Sequence, residues 1–347
     1  MDKPGRLRWK TPITNVVSLH PTADVLVTDL LHHVAGHDAH TGAPLFRRHF
    51  ESWSGHRLTM GDGEFLVVHQ TGLDQAVLEC CDGRTGAARW VRPVRGRAHT
   101  AAFNGRASLA LVDGTTLRVL HVPVDGAPLD EEAVLGLPDT PGGFQRAFLA
   151  DGLVGVGSAT RSLVWRLADR ALLWDAPHPL ECVLPWGWWV RRSQSYAVEL
   201  FNALGQAEGT FRDPSCDANN AELHAINGRG YQVVAANQRH VALTSASFSR
   251  TSGYGTRGLF LLPRGAGAPV AVEERAHPCV HLGDEVILVG RYGGVRALED
   301  SYTPRWETND QDWEGWGLKV SIVSHLRPQA DALFAATFEE LFCLSAA

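Results

Sequence analysis

A short hairpin recurs eight times along this 347-residue chain, and its eighth copy is divided between the two ends. The two clearest copies run from Gly36 to Phe46 and from Cys80 to Trp90. Both follow small–x–Asp–x–x–Thr–Gly–x–x–x–aromatic, set by Asp38, Thr41, Gly42 and Phe46 in one copy and Asp82, Thr85, Gly86 and Trp90 in the other. Asp, Thr and Gly make a tight turn: the carboxylate bonds backbone amides just ahead of it, and Gly supplies the left-handed residue. The ring or apolar anchor that follows falls at Trp9, Phe46, Trp90, Leu129, Trp174, Phe211, Val270 and Trp306.

A strand-built repeat of this period cannot bury both faces of one copy alone, so copies must stack side by side. Eight copies in 347 residues leave about 43 each, enough for four short strands and their turns. Further strands are expected at residues 98–103 and 107–112, joined by Asn104-Gly105, and at 277–282 and 285–289, joined by Gly283-Asp284. The expected fold is therefore all-β: an eight-bladed β-propeller of four-stranded antiparallel blades in a single domain, 1–347. Seven blades is the alternative, because the copies near Leu129 and Val270 are weak. The chain ends on a third strand, Glu340 to Leu344, and begins on a fourth, Arg6 to Lys10. Their pairing would close the ring and remove its exposed edges. Loop insertions are expected at 213–229 and at 245–257, the latter rich in Ser, Gly and Arg.

The hairpin motif resembles the tryptophan-docking repeat of quinoprotein-type (PQQ-like) propellers, whose usual count is eight blades. The resemblance covers nearly the whole chain as spacing and two copies as a residue motif. It implies that Trp9, Trp90, Trp174 and Trp306 stack between neighbouring blades. Several dehydrogenases of that family carry a vicinal cysteine pair beside the quinone. Here Cys80-Cys81 lies inside a third strand, where successive residues face opposite layers. A quinone site is not expected, which points to a non-enzymatic branch.

Composition narrows the function. A net charge of −6 argues against non-specific nucleic-acid binding. No apolar stretch is long enough to cross a bilayer. The amino terminus lacks the apolar run of a signal peptide, and six cysteines show no spaced framework, so reduced thiols and a cytoplasmic setting are expected.

Sixteen histidines raise the question of a metal, seven of them between His32 and His69. His33 and His37 stand four strand residues apart, roughly 13 Å. His37 and His40 span a turn without an obvious third donor, so no metal is expected. Asp310 to Gly315 resembles the start of a calcium loop, but its twelfth position is Ser321 instead of a bidentate Glu, leaving an acidic inter-blade loop. Gly155-Val156-Gly157 sits in a strand with no following helix. Hydrolase, zinc-protease and nucleotide-loop signatures are absent, and no cofactor is expected.

In a four-stranded blade, the loops between strands two and three share one face with the loops between blades. That face is expected to collect Trp53, His56, Trp313 and Trp316, together with Arg161, Arg191, Arg192, Arg250, Arg257 and Arg291. Trp and Arg are enriched at protein-binding hot spots. The expected function is a protein-interaction module or scaffold subunit with a protein partner, not nucleic acid or membrane. The alternative is an enzyme or small-ligand binder with its site at the central-channel mouth.

Overall fold

The computed structural model describes residues 4–346 apart from 31–32, 50–53, 60–62, 73, 104–106, 124, 193–196, 213–231, 247–256, 266, 274–278 and 322. Eight antiparallel sheets of four strands each follow one another along the chain, each in simple up-and-down order. This is the eight-bladed β-propeller expected, and the seven-blade alternative falls. Blades 1 to 7 occupy residues 16–49, 54–95, 97–136, 146–176, 180–212, 232–273 and 279–307. Blade 8 takes three strands from residues 325–345 and its fourth, Leu7–Pro12, from the beginning of the chain. Two compact units result: residues 1–149 with 308–347, and residues 150–307. The insertion at 213–229 lies outside the described residues. The one at 245–257 is described only at its ends, where Ser245 pairs with Gly258 and Ala246 with Arg257 to extend a ladder of blade 6.

The terminal strands close blade 8 as the sequence suggests. Trp9 pairs with Cys343, Lys10 with Phe342, Thr11 with Leu341 and Pro12 with Glu340. Amides beyond the strand continue the ladder, Gly5 N donating to Ser345 O (2.8 Å) and Ile13 N to Glu339 O (3.0 Å).

The repeat motif explains how blades dock. Asp38 Oδ1 accepts from His40 N, Thr41 N and Thr41 Oγ1 at 2.9–3.0 Å, and Asp82 Oδ1 accepts from the matching atoms of Arg84 and Thr85 at 2.9–3.1 Å. Each turn then passes through a left-handed glycine, Gly42 at φ +72° and Gly86 at φ +69°. A Cβ on Gly42 would collide with the Trp9 ring of blade 8, and one on Gly86 with the Phe46 ring of blade 1. Glycine is thus required twice over, for conformation and for the ring that lies on it. Trp9 Nε1 also donates to Ala39 O at 3.0 Å. Trp90 lies against Gly126 at the matching turn of blade 3, and Trp174 reaches Phe201 of blade 5, with centroids 4.3 Å apart. The tryptophans at 9, 90 and 174 therefore act in blade packing. Blade 6 departs from the pattern: Val270 is exposed, and Val272 packs in its place against a core shared with blade 7. Its outer strand carries the same register slip as the other blades, here between Leu259 and Phe260, but Val270 pairs with Leu261 ahead of the slip, whereas Phe46 and Trp90 stand just past theirs.

Cys80 and Cys81 lie in the strand Gln75–Asp82 and face opposite layers. Cys81 joins the core shared by blades 1 and 2, while Cys80 shares its strand face with Ala76 and Leu78, which pack with blade 3. Burial pushes these thiols up to about 11 and about 12, leaving both protonated and unreactive at neutral pH. Among the described residues, no helix is long and apolar enough to cross a membrane.

Candidate functional site

The loop face expected from the sequence divides into residues the structure ties down and residues it leaves presented. In residues 150–307, Arg161 sits on the second-to-third-strand turn of blade 4. That turn closes on itself, Ser158 Oγ accepting from Arg161 N at 2.8 Å. The guanidinium forks onto the two oxygens of Asp175 at 2.9 and 2.8 Å. Arg191 is the next-to-last residue of the second strand of blade 5 and meets Glu181 at 3.1 Å. Arg291 ends the second strand of blade 7 and shares Glu307 with Arg296. Each of these arginines already has a carboxylate of its own blade, so none stands as a lone cation awaiting an acidic partner. Trp53 and Arg250 lie outside the described residues, and His56, Arg192 and Arg257 are placed only as strand positions.

Trp313 corrects the expectation. Its segment forms a helix, α1 (Asp310–Gly315), where an acidic loop is predicted, and the Trp313 side chain is fully buried. Asn309 caps the helix by accepting from Asp312 N, while the Asp312 carboxylate accepts from Asn309 N, both at 3.0 Å. This reciprocal cap turns the ring inward, where it meets Phe342 edge-on at 5.3 Å and donates Nε1–H to Thr308 at 3.1 Å. A ring so enclosed cannot meet a partner. Trp316, the residue after the helix, is half-buried.

Among the described residues, sequence reasoning missed two exposed rings on second-to-third-strand turns, one in each compact unit. Phe338 is 64% exposed at the second-to-third-strand turn of blade 8, and Tyr292 is 55% exposed at the same turn of blade 7. The Phe338 turn is rigid: Thr337 Oγ1 accepts from Glu339 N and Glu340 N, and Thr337 N donates to Glu340 O. Segment 317–319 is stapled to it, with Lys319 N bonded to Glu340 and Lys319 Nζ 2.5 Å from Glu339. The available signal was an aromatic flanked by Thr and Glu just before the last strand.

Behind the turns of residues 1–149 lies a buried polar cluster. Glu79 takes Arg48 Nη2 at 2.5 Å on one oxygen and the Nε2–H of His69 at 3.2 Å on the other. Burial works to raise the Glu79 carboxyl, but the His69 and Arg48 hydrogen bonds outweigh it and hold the group below its ordinary range. A depressed carboxylate contributes stability above its unfolded value, and that contribution is lost as pH falls through the lower folded value. Glu79→Gln should therefore flatten the acid limb of the stability–pH curve below about pH 5. Removing one partner of a buried ion pair costs about 3–5 kcal/mol, and Arg48, one-third exposed, argues for the low end. Urea titrations across pH check this; an unchanged acid limb would mean that the cluster is uncoupled from folding.

The same unit holds a groove of about 550 Å³ between blades 8 and 1. Thr11, Pro12, Ile13 and Thr14 line one side, Leu30, Ala35, His37 and residues 44–47 the other, and Glu339 one end. His37 is 6% exposed, and neither ring nitrogen makes a well-formed hydrogen bond to the protein. Desolvation holds its imidazole below the ordinary histidine range, against a smaller opposing pull from the Gly42 backbone. His40, across the turn, points instead toward Asp24 at 3.6 Å.

Comparison with known proteins bears on the fold. No family model matches the chain. No curated protein matches it either. Solved structures do match. BamB from Moraxella catarrhalis shares 14% identity at a TM-score of 0.55, over 97% of this chain and 98% of that one. Sqt1 from Saccharomyces cerevisiae shares 7% at 0.65, over 99% and 100%. Hsv2 from Kluyveromyces lactis shares 8% at 0.53, over 86% and 100%. At such identities the likeness speaks for the β-propeller fold and leaves function to the residues.

Proposed function

We propose that this chain is a non-enzymatic protein-interaction module of the quinoprotein-type propeller kind, a scaffold subunit that binds a protein partner through the strand-two-to-three turns. The observation that carries this reading is Phe338, a large ring left in water on a turn that hydrogen bonds hold rigid. A rigid, exposed aromatic presents apolar area without an ordering cost on binding, the character of an interface anchor. Tyr292 offers the same on blade 7, flanked by the ion-paired Arg291. Paired arginines still suit a rim, where balanced charge selects partners more than it adds affinity. Trp316, Trp53 and His56 in one unit, and Arg161, Arg191, Arg192, Arg250 and Arg257 in the other, remain proposed contact residues of their own blades; Trp313 does not. Cysteines without a spaced framework support a cytoplasmic setting for the module.

The test is capture from the native host with variants whose folding is unaffected. Phe338→Ala and Tyr292→Ala alter exposed side chains, so stability should stay within about 0.5 kcal/mol of wild type. The partner recovered by wild-type protein should be depleted at least tenfold by one of the two. If both variants retain every partner at wild-type yield, this face is not the binding surface.

A further inference from the structure

The groove between blades 8 and 1 has the features of a small-molecule site and lies outside the protein-binding reading, since Phe338 does not line it. Its volume of about 550 Å³ falls in the range of ordinary ligand pockets. Pro12, Ile13, Leu30, Ala35 and Pro44 make most of the lining apolar. Two polar features stand out against that background.

The first is His37. It is more than nine-tenths buried, lines the cavity, and has no well-formed hydrogen bond on either nitrogen. The Gly42 backbone draws on the imidazole without forming a well-formed hydrogen bond. A buried polar group left short of its partners is costly, on the order of 1–3 kcal/mol, and invites a ligand to complete it. A neutral imidazole offers one donor and one acceptor. A hydroxyl, which both donates and accepts, is its complement. The second feature is Arg47, exposed at the rim. Among the described residues it has no ion-pair partner, whereas the nearby carboxylate Glu339 is matched by Lys319.

The strand register sets the spacing between these features. Arg47 pairs with Ala35, and His37 follows two residues along the same strand. At about 3.3 Å per residue the offset along the strand is roughly 7 Å, to which the step from one strand to the next and the slip between Gly36 and His37 add. A guanidinium takes a carboxylate through two parallel hydrogen bonds. Arg47 supplies a single positive charge, which matches a monocarboxylate better than a phosphate dianion.

We propose that this groove binds a small aromatic monocarboxylate bearing a hydroxyl at the end remote from the acid, with Arg47 taking the carboxylate, His37 the hydroxyl, and the apolar wall the ring.

Calorimetric titration of the full chain with 3-(4-hydroxyphenyl)propanoate, 3-phenylpropanoate and 2-(4-hydroxyphenyl)ethanol tests each part. The hydroxy acid should bind saturably, and loss of either polar group should weaken binding about tenfold, which is 1.4 kcal/mol. Arg47→Met should erase the preference for acid over alcohol, and His37→Leu the preference for the hydroxylated acid. His37→Leu removes an unsatisfied polar group, so its melting temperature should be unchanged or raised, which separates lost binding from lost folding. Absence of saturable binding at millimolar hydroxy acid overturns the proposal, as do preferences that survive both substitutions. Concentration-dependent dimerisation abolished by Arg47→Met, with none of the three compounds bound, also overturns it and assigns the groove to a second copy of the chain. None of these outcomes depends on whether Phe338 captures a protein.

Discussion

A chain lacking residues 1–12 should fail to hold blade 8 and should aggregate or melt at a clearly lower temperature. The deletion removes the strand Leu7–Pro12 and bares the whole edge of Glu340–Ser345, a buried strand whose inner positions Leu341 to Leu344 are fully enclosed. It also takes Trp9 from a core that Ile13, Leu19, Leu26, Phe334 and Leu341 share. Loss of a buried aromatic alone costs about 3–5 kcal/mol, and a whole domain is stable by only about 5–15 kcal/mol. The severed ladder and the exposed strand edge add to that loss and offer a template for association. Size-exclusion chromatography with thermal melting reads the result, and a synthetic peptide of residues 1–14 should restore part of the melting temperature in trans. A truncated chain that stays monomeric and melts like wild type would show that the terminal pairing does not close the structure.

What the sequence made legible was local and periodic. Asp38 with Gly42 and Asp82 with Gly86 mark their turns because each device is complete within five residues. The ring that docks on each glycine recurs at a readable interval. Val270 misled because it pairs with Leu261 ahead of the register slip that every blade carries, whereas Phe46 and Trp90 stand just past it, and without a ring the sequence does not mark which side a residue falls on. Arg161 falls on a turn and Arg191 and Arg291 in strands beside one, and the carboxylates that hold them come from strands set by register: Asp175 for Arg161, Glu181 for Arg191, Glu307 for Arg291. The groove was out of reach for a different reason. Its walls come from residues 11–14, Leu30, Ala35, His37, residues 44–47 and Glu339, brought together only by closure of blade 8. His37 alone gave a sign, as an imidazole on a strand that is otherwise buried at Val34, Ala35 and Gly36.

Trp313 shows where a sequence reading that sees only acidity goes wrong, and its replacement is the sharpest check on the corrected placement. The Asp310-Gln311-Asp312 run suggested a solvated loop, yet Asn309-x-x-Asp312 is a capping pair that starts a helix and swings the next ring inward. A helix of six residues cannot persist on backbone hydrogen bonds alone, so α1 depends on the ring that anchors it. Trp313→Ala would lose the contact with Phe342, leave the Thr308 hydroxyl without its donor, and open a cavity the size of an indole. The expected cost is about 3–5 kcal/mol. Trp313→Phe keeps most of the apolar area but not the hydrogen bond, and should cost about 1–2 kcal/mol less than the alanine variant. Phe338→Ala on the neighbouring turn should be silent in the same denaturant titration, within about 0.5 kcal/mol. The two aromatics therefore separate packing from presentation. A Trp313→Ala protein with an unchanged denaturation midpoint would return that ring to the surface and reopen the Trp-bearing interface; a Phe338→Ala protein that unfolds would remove the anchor on which the interaction reading stands.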